Sequence, residues 1–204
     1  MFEFITHTLQ EYPDAMLEQE ARVQAILHHQ KDPCLIFSQH PACYTLGTSG
    51  HMDDVLKTEP CGQSIPVYKT GRGGEVTYHG PGQLMVYVLA DLRKKQDLHQ
   101  HIWNLEELII QSLQHFSIQA QRNSRGIGVW VGDNKIAAVG VRCRRWVTWH
   151  GVALNISPDL SHYQGIVACG MQDNPVTSME KQGLTVQRET LEKVLQQHCL
   201  SLFS

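Results

Sequence analysis

The sequence predicts an α+β fold: a mixed, largely antiparallel sheet with helices along one side. Strand-like segments crowd the middle of the 204-residue chain. Helical periodicity falls before, within and after that run without alternating strictly with it, which argues against a parallel βαβ arrangement. The turn signal Gly132-Asp133-Asn134 between two apolar runs adds an antiparallel hairpin.

In chain order, Phe2 to Thr8 alternates like a strand. Pro13 to His29 carries apolar residues at 16, 17, 23, 26 and 27 behind an early proline and reads as an amphipathic helix. Cys34 to Phe37 is a short buried strand, and residues 41 to 64, with their Gly, Pro, Asp and Ser signals, read as loop. Pro66 to Lys69 is a strand leading into a glycine run, and Gln83 to Ala90 is a nearly continuous apolar strand. His99 to Phe116 has helical spacing through Leu105, Leu108, Ile109 and Leu113. The hairpin pairs Ile127–Val131 with Lys135–Val141, and Val147 to Ile156 follows as another strand. Pro158 to Tyr163 is a short helical piece, and Leu184 to Leu202 is a terminal helix.

Length and the absence of a linker-like stretch predict one domain spanning 1–204. The N-terminal residues lack a basic, then apolar, export pattern, and no window has the ~18 apolar residues needed to span a bilayer. The expectation is a cytoplasmic protein with no membrane partner, whose six cysteines are reduced. A net charge of −3 argues against a nucleic-acid partner. The basic residues are uneven, though: Arg122, Arg125, Lys135, Arg142, Arg144 and Arg145 lie within 24 positions. They are either a solvated face or a landing patch for an acidic protein.

Twelve histidines invite a metal, but the sequence has no Cys-x-x-Cys and no His-Glu-x-x-His, so none is expected. The run Gly71 to Gln83 holds five glycines in thirteen positions, too many for packing material in a helix or an ordinary strand. It matches neither the dinucleotide fingerprint nor the P-loop. Gly73-Gly74 permits positive φ and close approach to the backbone, while Arg72, Thr77, Tyr78 and His79 offer polar groups. A tight hairpin and a ligand cradle both fit. Cys169, at the end of an apolar run before Gly170, is either an exposed nucleophile or a small core residue. Lys135, just past a turn, is either a solvated hairpin residue or an inward ammonium that would lower a neighbouring thiol's pKa.

The run from Arg72 to Leu84 resembles the signature of the octanoyltransferases of lipoate biosynthesis, the lipoyl(octanoyl) transferases. Lys135 to Gly140, His150 to Asn155 and Ala168-Cys169-Gly170 resemble the family's next three segments, in the same order. The resemblance covers roughly residues 30 to 175 and implies the biotin/lipoate protein ligase fold. It further implies that Cys169 carries the acyl group, that Lys135 is its partner and that no cofactor is needed. The acyl pocket would be lined by Arg72, Gly73, Gly74, Glu75, Val76, Thr77, Tyr78 and His79, by Ala138, Val139 and Gly140, and by Gly151, Val152 and Ala153. The implied donor is octanoyl-acyl carrier protein, and the acceptor is a lysine of lipoyl domain proteins (2-oxoacid dehydrogenase E2 subunits, glycine cleavage H protein). Ala168 stands where the family commonly has proline, as does Val88. An ATP-dependent lipoate or biotin ligase, an octanoyl amidotransferase between lipoyl domains, and a non-catalytic acyl-binding module are the competing readings.

Overall fold

A computed structural model of the chain describes residues 2–59, 62, 64–168 and 175–203. Its elements are β1 (Glu3–Thr6), α1 (Tyr12–Leu27), β2 (Cys34–Ser38), β3 (Cys43–Leu46), β4 (Val67–Lys69), β5 (Val76–His79) and β6 (Gln83–Leu89). They continue with α2 (Leu98–His115), β7 (Gln121–Asn123), β8 (Gly126–Val131), β9 (Asn134–Arg144), β10 (Val147–Asn155) and α3 (Arg188–Phe203). Seven strands form one sheet in the order β1-β2-β6-β10-β9-β8-β7, and β4-β3-β5 form a smaller one. β1 runs parallel to β2 and β4 to β3, while every other pairing is antiparallel. The mixed, largely antiparallel sheet is as expected.

The helices do not lie on one side. Side chains alternate along a strand, so β6 sends Leu84, Val86 and Val88 to one face and Met85, Tyr87 and Leu89 to the other. The first set packs with Leu105, Leu108 and Ile109 of α2 and with Leu191 and Leu195 of α3. The second packs with Ala15, Val23 and Ile26 of α1. A strand apolar on both faces needs cover on both. The continuous run at 83–90 carried that requirement.

Two stretches are more regular than their composition implies. Residues 43–46, read as loop, form β3, the buried central strand of the small sheet. Pro41 and Gly47 bracket only five residues, too few for the alternation to register. Val76–His79, inside the glycine run, form β5, fully buried and paired antiparallel with β3. The glycines flank that strand and do not interrupt it. A short 3₁₀ segment at Leu160–Gly165 occupies the place of the expected short helical piece.

The β9–β10 hairpin closes on Arg145 and Trp146, with Arg144 opposite Val147. Both turn residues have positive φ, +50° and +65°. A two-residue turn of that hand favours Asn-Gly because a Cβ in the left-handed region clashes with the following carbonyl. This turn holds strain at a tip where Arg144 and Arg145 are exposed. Replacing the pair by Arg145→Asn with Trp146→Gly is expected to raise the unfolding free energy by about 1–2 kcal/mol. Urea denaturation midpoints check this. A lower midpoint would show that packing of the Trp146 ring outweighs the backbone strain.

Candidate active site

Lys135 sits on β9, and strand parity alone would put it with Ala137, Val139 and Val141 on the face covered by α2. The pairing steps from Val129↔Ala137 directly to Trp130↔Lys135, so two residues pass on β9 for one on β8. This bulge re-aims the side chain to the opposite face. There Nζ lies 4.9 Å from the centroid of the Trp130 ring, and the residue is only 5% exposed. Gly128 makes room for the stem: a Cβ there, at φ +135°, would approach Lys135 Cε to 3.2 Å and the Ala137 carbonyl oxygen to 2.7 Å. Residues 175–177 fasten the Lys135 backbone from the other side. Lys135 N–H donates to the Pro175 carbonyl (2.7 Å), and Thr177 N–H donates to the Lys135 carbonyl (3.0 Å). The lysine therefore points inward.

It opens onto a cavity between the two sheets, with an empty volume of about 530 Å³ including its mouth. The floor is a grid of neighbouring strands: Ala138 and Gly140 on β9, Gly151 and Ala153 opposite them on β10, then Tyr87 and Met85 on β6. Four residues without bulk leave a trough that two larger apolar side chains border. Arg72, Gly74, Glu75, Val76, Thr77 and His79 line the cavity from the glycine loop and β5, Tyr12 from α1, and Val139 and Val152 from the floor strands. Ile127, 55% exposed, also lines it.

Of the residues that the sequence singled out, Lys135 and twelve of the loop and strand positions meet here. Two do not line the cavity. Tyr78 faces a separate cluster with Tyr44 and Tyr163, because alternate residues of β5 point opposite ways. Gly73 ties the loop to the sheet, donating its N–H to the Val141 carbonyl at 2.8 Å. Cys169 lies outside the described residues. Tyr12, Met85, Tyr87, Ile127 and His150 were not singled out as lining residues. For Met85 and Tyr87 the signal was present, since they alternate with core-facing neighbours in a strand beside the glycine run.

One polar chain runs from the roof to the lysine. Arg72 Nη2 donates to the Thr45 carbonyl (2.6 Å) and hydroxyl (2.8 Å), and its Nη1 donates to the Gly73 carbonyl. A Cβ at Gly140 would come within 3.1 Å of Arg72 Cδ, so the glycine seats the arginine stem. Gln83 Nε2 donates to Asn155 Oδ1 at 2.9 Å, which leaves Gln83 Oε1 as an acceptor for His79 Nδ1–H (3.2 Å). This assigns the proton of a neutral His79 to Nδ1, and Nε2 then accepts from the Thr45 hydroxyl (3.1 Å). Asn155 Nδ2 continues to the Thr177 carbonyl, and Thr177 is bonded to Lys135.

Burial, reinforced by the charges of His40 and Arg72, holds His79 well below the usual histidine range. Burial also brings His150 down to about 3, aided by Arg72 and Arg142, and His101 to about 4. Each folded-state value lies below the 6.5 of an unfolded histidine, so the unfolded chain binds more protons across that interval. Stability is therefore full above pH about 6.5 and falls as the pH drops toward the folded values. His150 also stands at φ +62° in mid-strand, its N–H taken by Gln19 Oε1 (2.9 Å) of α1.

The described cysteines are poor nucleophiles. Burial raises Cys34 to about 11 and Cys43 and Cys199 to about 12. Among the described residues no group of three or more His, Cys, Asp or Glu could hold a metal ion, and no helix is long and apolar enough to cross a membrane. The basic run is not one patch: Arg122 pairs with Glu106 (2.9 Å) and Glu107 (3.0 Å), and Lys135 is buried. Arg142, Arg144 and Arg145 remain exposed.

The fold and this cavity define a class, the lipoyl protein ligase A/B catalytic domain, whose family model matches residues 11–200. The architecture is shared with a bi-partite lipoate protein ligase from Thermoplasma acidophilum, at TM-score 0.73 and 14% identity over 98% of this chain and 82% of that one. An octanoyltransferase of Wolbachia pipientis subsp. Culex pipiens is 41% identical over 98% of both chains. One from Magnetococcus marinus is 47% identical over 89% of this chain and 84% of its own. Within that class, the chain belongs to the octanoyltransferase family.

Acid should weaken the fold before carboxylates titrate. The urea midpoint is expected to fall measurably between pH about 7 and about 5, and His101→Gln should flatten part of that slope. A flat wild-type profile over this interval would contradict the neutral, buried histidines.

Proposed function

We propose that this protein moves an octanoyl group from octanoyl-acyl carrier protein to a lysine of lipoyl domains, through a thioester on Cys169. The observation that carries the reading is the buried, inward-facing Lys135 beside a trough floored by Ala138, Gly140, Gly151 and Ala153. An eight-carbon chain laid there gains ~0.8 kcal/mol per buried methylene, enough to hold the substrate without a phosphate handle. Pro175, bonded to the Lys135 backbone, follows Cys169 by six positions, so the chain carrying the cysteine is anchored beside the lysine soon afterwards.

In the first half-reaction the Cys169 thiolate attacks the donor's thioester carbon. A new C–S bond forms, the carrier's sulfur leaves with its electron pair, and the Lys135 ammonium protonates it. Thioester exchange is nearly isoenergetic, so no nucleotide is consumed. Lys135 emerges neutral and able to accept a proton from the acceptor's ammonium in the second half. The amine then attacks, an amide C–N bond forms, and Cys169 leaves as thiolate. The acceptors fitting this chemistry are the lipoyl domains of 2-oxoacid dehydrogenase E2 subunits and the glycine cleavage H protein. The exposed Arg142, Arg144 and Arg145 give an acidic carrier a docking face.

Intact-mass spectrometry after exposure to octanoyl-acyl carrier protein without ATP should show a hydroxylamine-sensitive octanoyl adduct on the wild type and none on Cys169→Ala. Lys135→Ala should slow adduct formation by about 10²-fold or more. Labelling that appears only with octanoate and ATP would move the assignment to a ligase. Reversing both arginines (Arg144→Glu with Arg145→Glu) is expected to raise KM for the carrier protein about tenfold while leaving KM for a small octanoyl thioester nearly unchanged. Equal effects on both donors would remove the docking assignment.

A further inference from the structure

We propose that Glu75 receives the acceptor's lysine ammonium and takes the second of the two protons that the amine must lose. This rests on the acyl-enzyme reading above and deepens its second half-reaction. Among the described residues lining the cavity, Glu75 is the one carboxylate, set against the cations Arg72 and Lys135. Its Oε2 is buried and has no hydrogen-bond partner among the described residues. An orphaned carboxylate oxygen is costly, and native structures keep few of them. The backbone around it is fixed: the Glu75 carbonyl accepts from Gly47 N–H and the Gly74 carbonyl from Ser49 N–H, each at 3.1 Å. The side chain is thus held at the cavity with an unused acceptor.

The proton balance of amide formation requires such a group. The acceptor arrives as R–NH₃⁺ and leaves as an amide with one N–H, so two protons depart. Neutral Lys135 takes one and becomes ammonium again. The other comes off the nitrogen as the tetrahedral intermediate collapses and the Cys169 thiolate leaves. Lys135 is by then already charged. Glu75 is half-buried, so a proton accepted on its carboxylate passes to solvent. The same carboxylate balances the positive potential that Arg72 would otherwise present to an incoming cation.

The test separates ammonium from neutral nucleophiles. Octanoyl-enzyme is formed, isolated and chased either with a lipoyl domain or with hydroxylamine, which is uncharged near neutral pH and loses one proton on acylation. For Glu75→Gln we expect transfer to the lipoyl domain to be slowed by about ten- to a hundredfold more than acylation or hydroxylamine cleavage. Glu75→Asp should restore part of it. Equal slowing toward both nucleophiles, or normal transfer to the lipoyl domain, would overturn the role of Glu75. A wild type that forms no octanoyl adduct would instead overturn the reading on which it rests.

Discussion

A lysine buried to 5% exposure is the constraint from which the site follows. An ammonium removed from water must recover its solvation from neighbours. The fold supplies these locally: a tryptophan face under Nζ, a missing Cβ at Gly128 for the stem, and a backbone strap at 175–177. All of it depends on one extra residue in β9. Without the bulge at Ile136, Lys135 would sit in the apolar layer between the large sheet and α2, where nothing on Leu108 or Ile109 could serve it. With it, Ile136 and Ala137 both join that layer and the lysine turns the other way.

The second requirement is that the two sheets keep a fixed separation, since the cavity is the gap between them. Among the described residues no backbone ladder joins the small sheet to the large one. A side-chain chain from Arg72 through Thr45, His79, Gln83 and Asn155 to Thr177 links them. Each member donates in one direction, which works only while His79 is neutral. Burial and the nearby arginine enforce that state. The arginine that braces the roof also adds, after burial and the charge of His40, to what keeps the histidine neutral.

Much of this was legible in the sequence because it rests on local rules. The continuous apolar run at 83–90 read as a strand, and Gly132-Asp133-Asn134 announced the β8–β9 turn. The glycine run left a hairpin and a ligand cradle both open, and Ala138, Gly140, Gly151 and Ala153 entered only through the family resemblance; these four line the cavity. What stayed hidden depends on partners far along the chain. Tyr12 reaches the site because α1 packs against β10, and nothing in its own helix signals that. The direction of Lys135 hangs on a register shift against β8, invisible in a period-two pattern. The six-residue basic cluster dissolved for a similar reason, since Glu106 and Glu107 lie on α2, sixteen and fifteen positions before Arg122 on β7.

Arg72 also bears on what the cavity binds. In a site built for a nucleotide, a guanidinium beside a glycine loop would turn its fork toward phosphate oxygens. Here Nε, Nη1 and Nη2 all donate inward, to Thr45 and to the Gly73 carbonyl, and the stem lies over Gly140. Turning that fork outward would break the link between the sheets and unseat His79. The loop therefore uses its arginine as a brace and its glycines as clearance. What remains facing the trough is largely apolar surface, suited to an acyl chain.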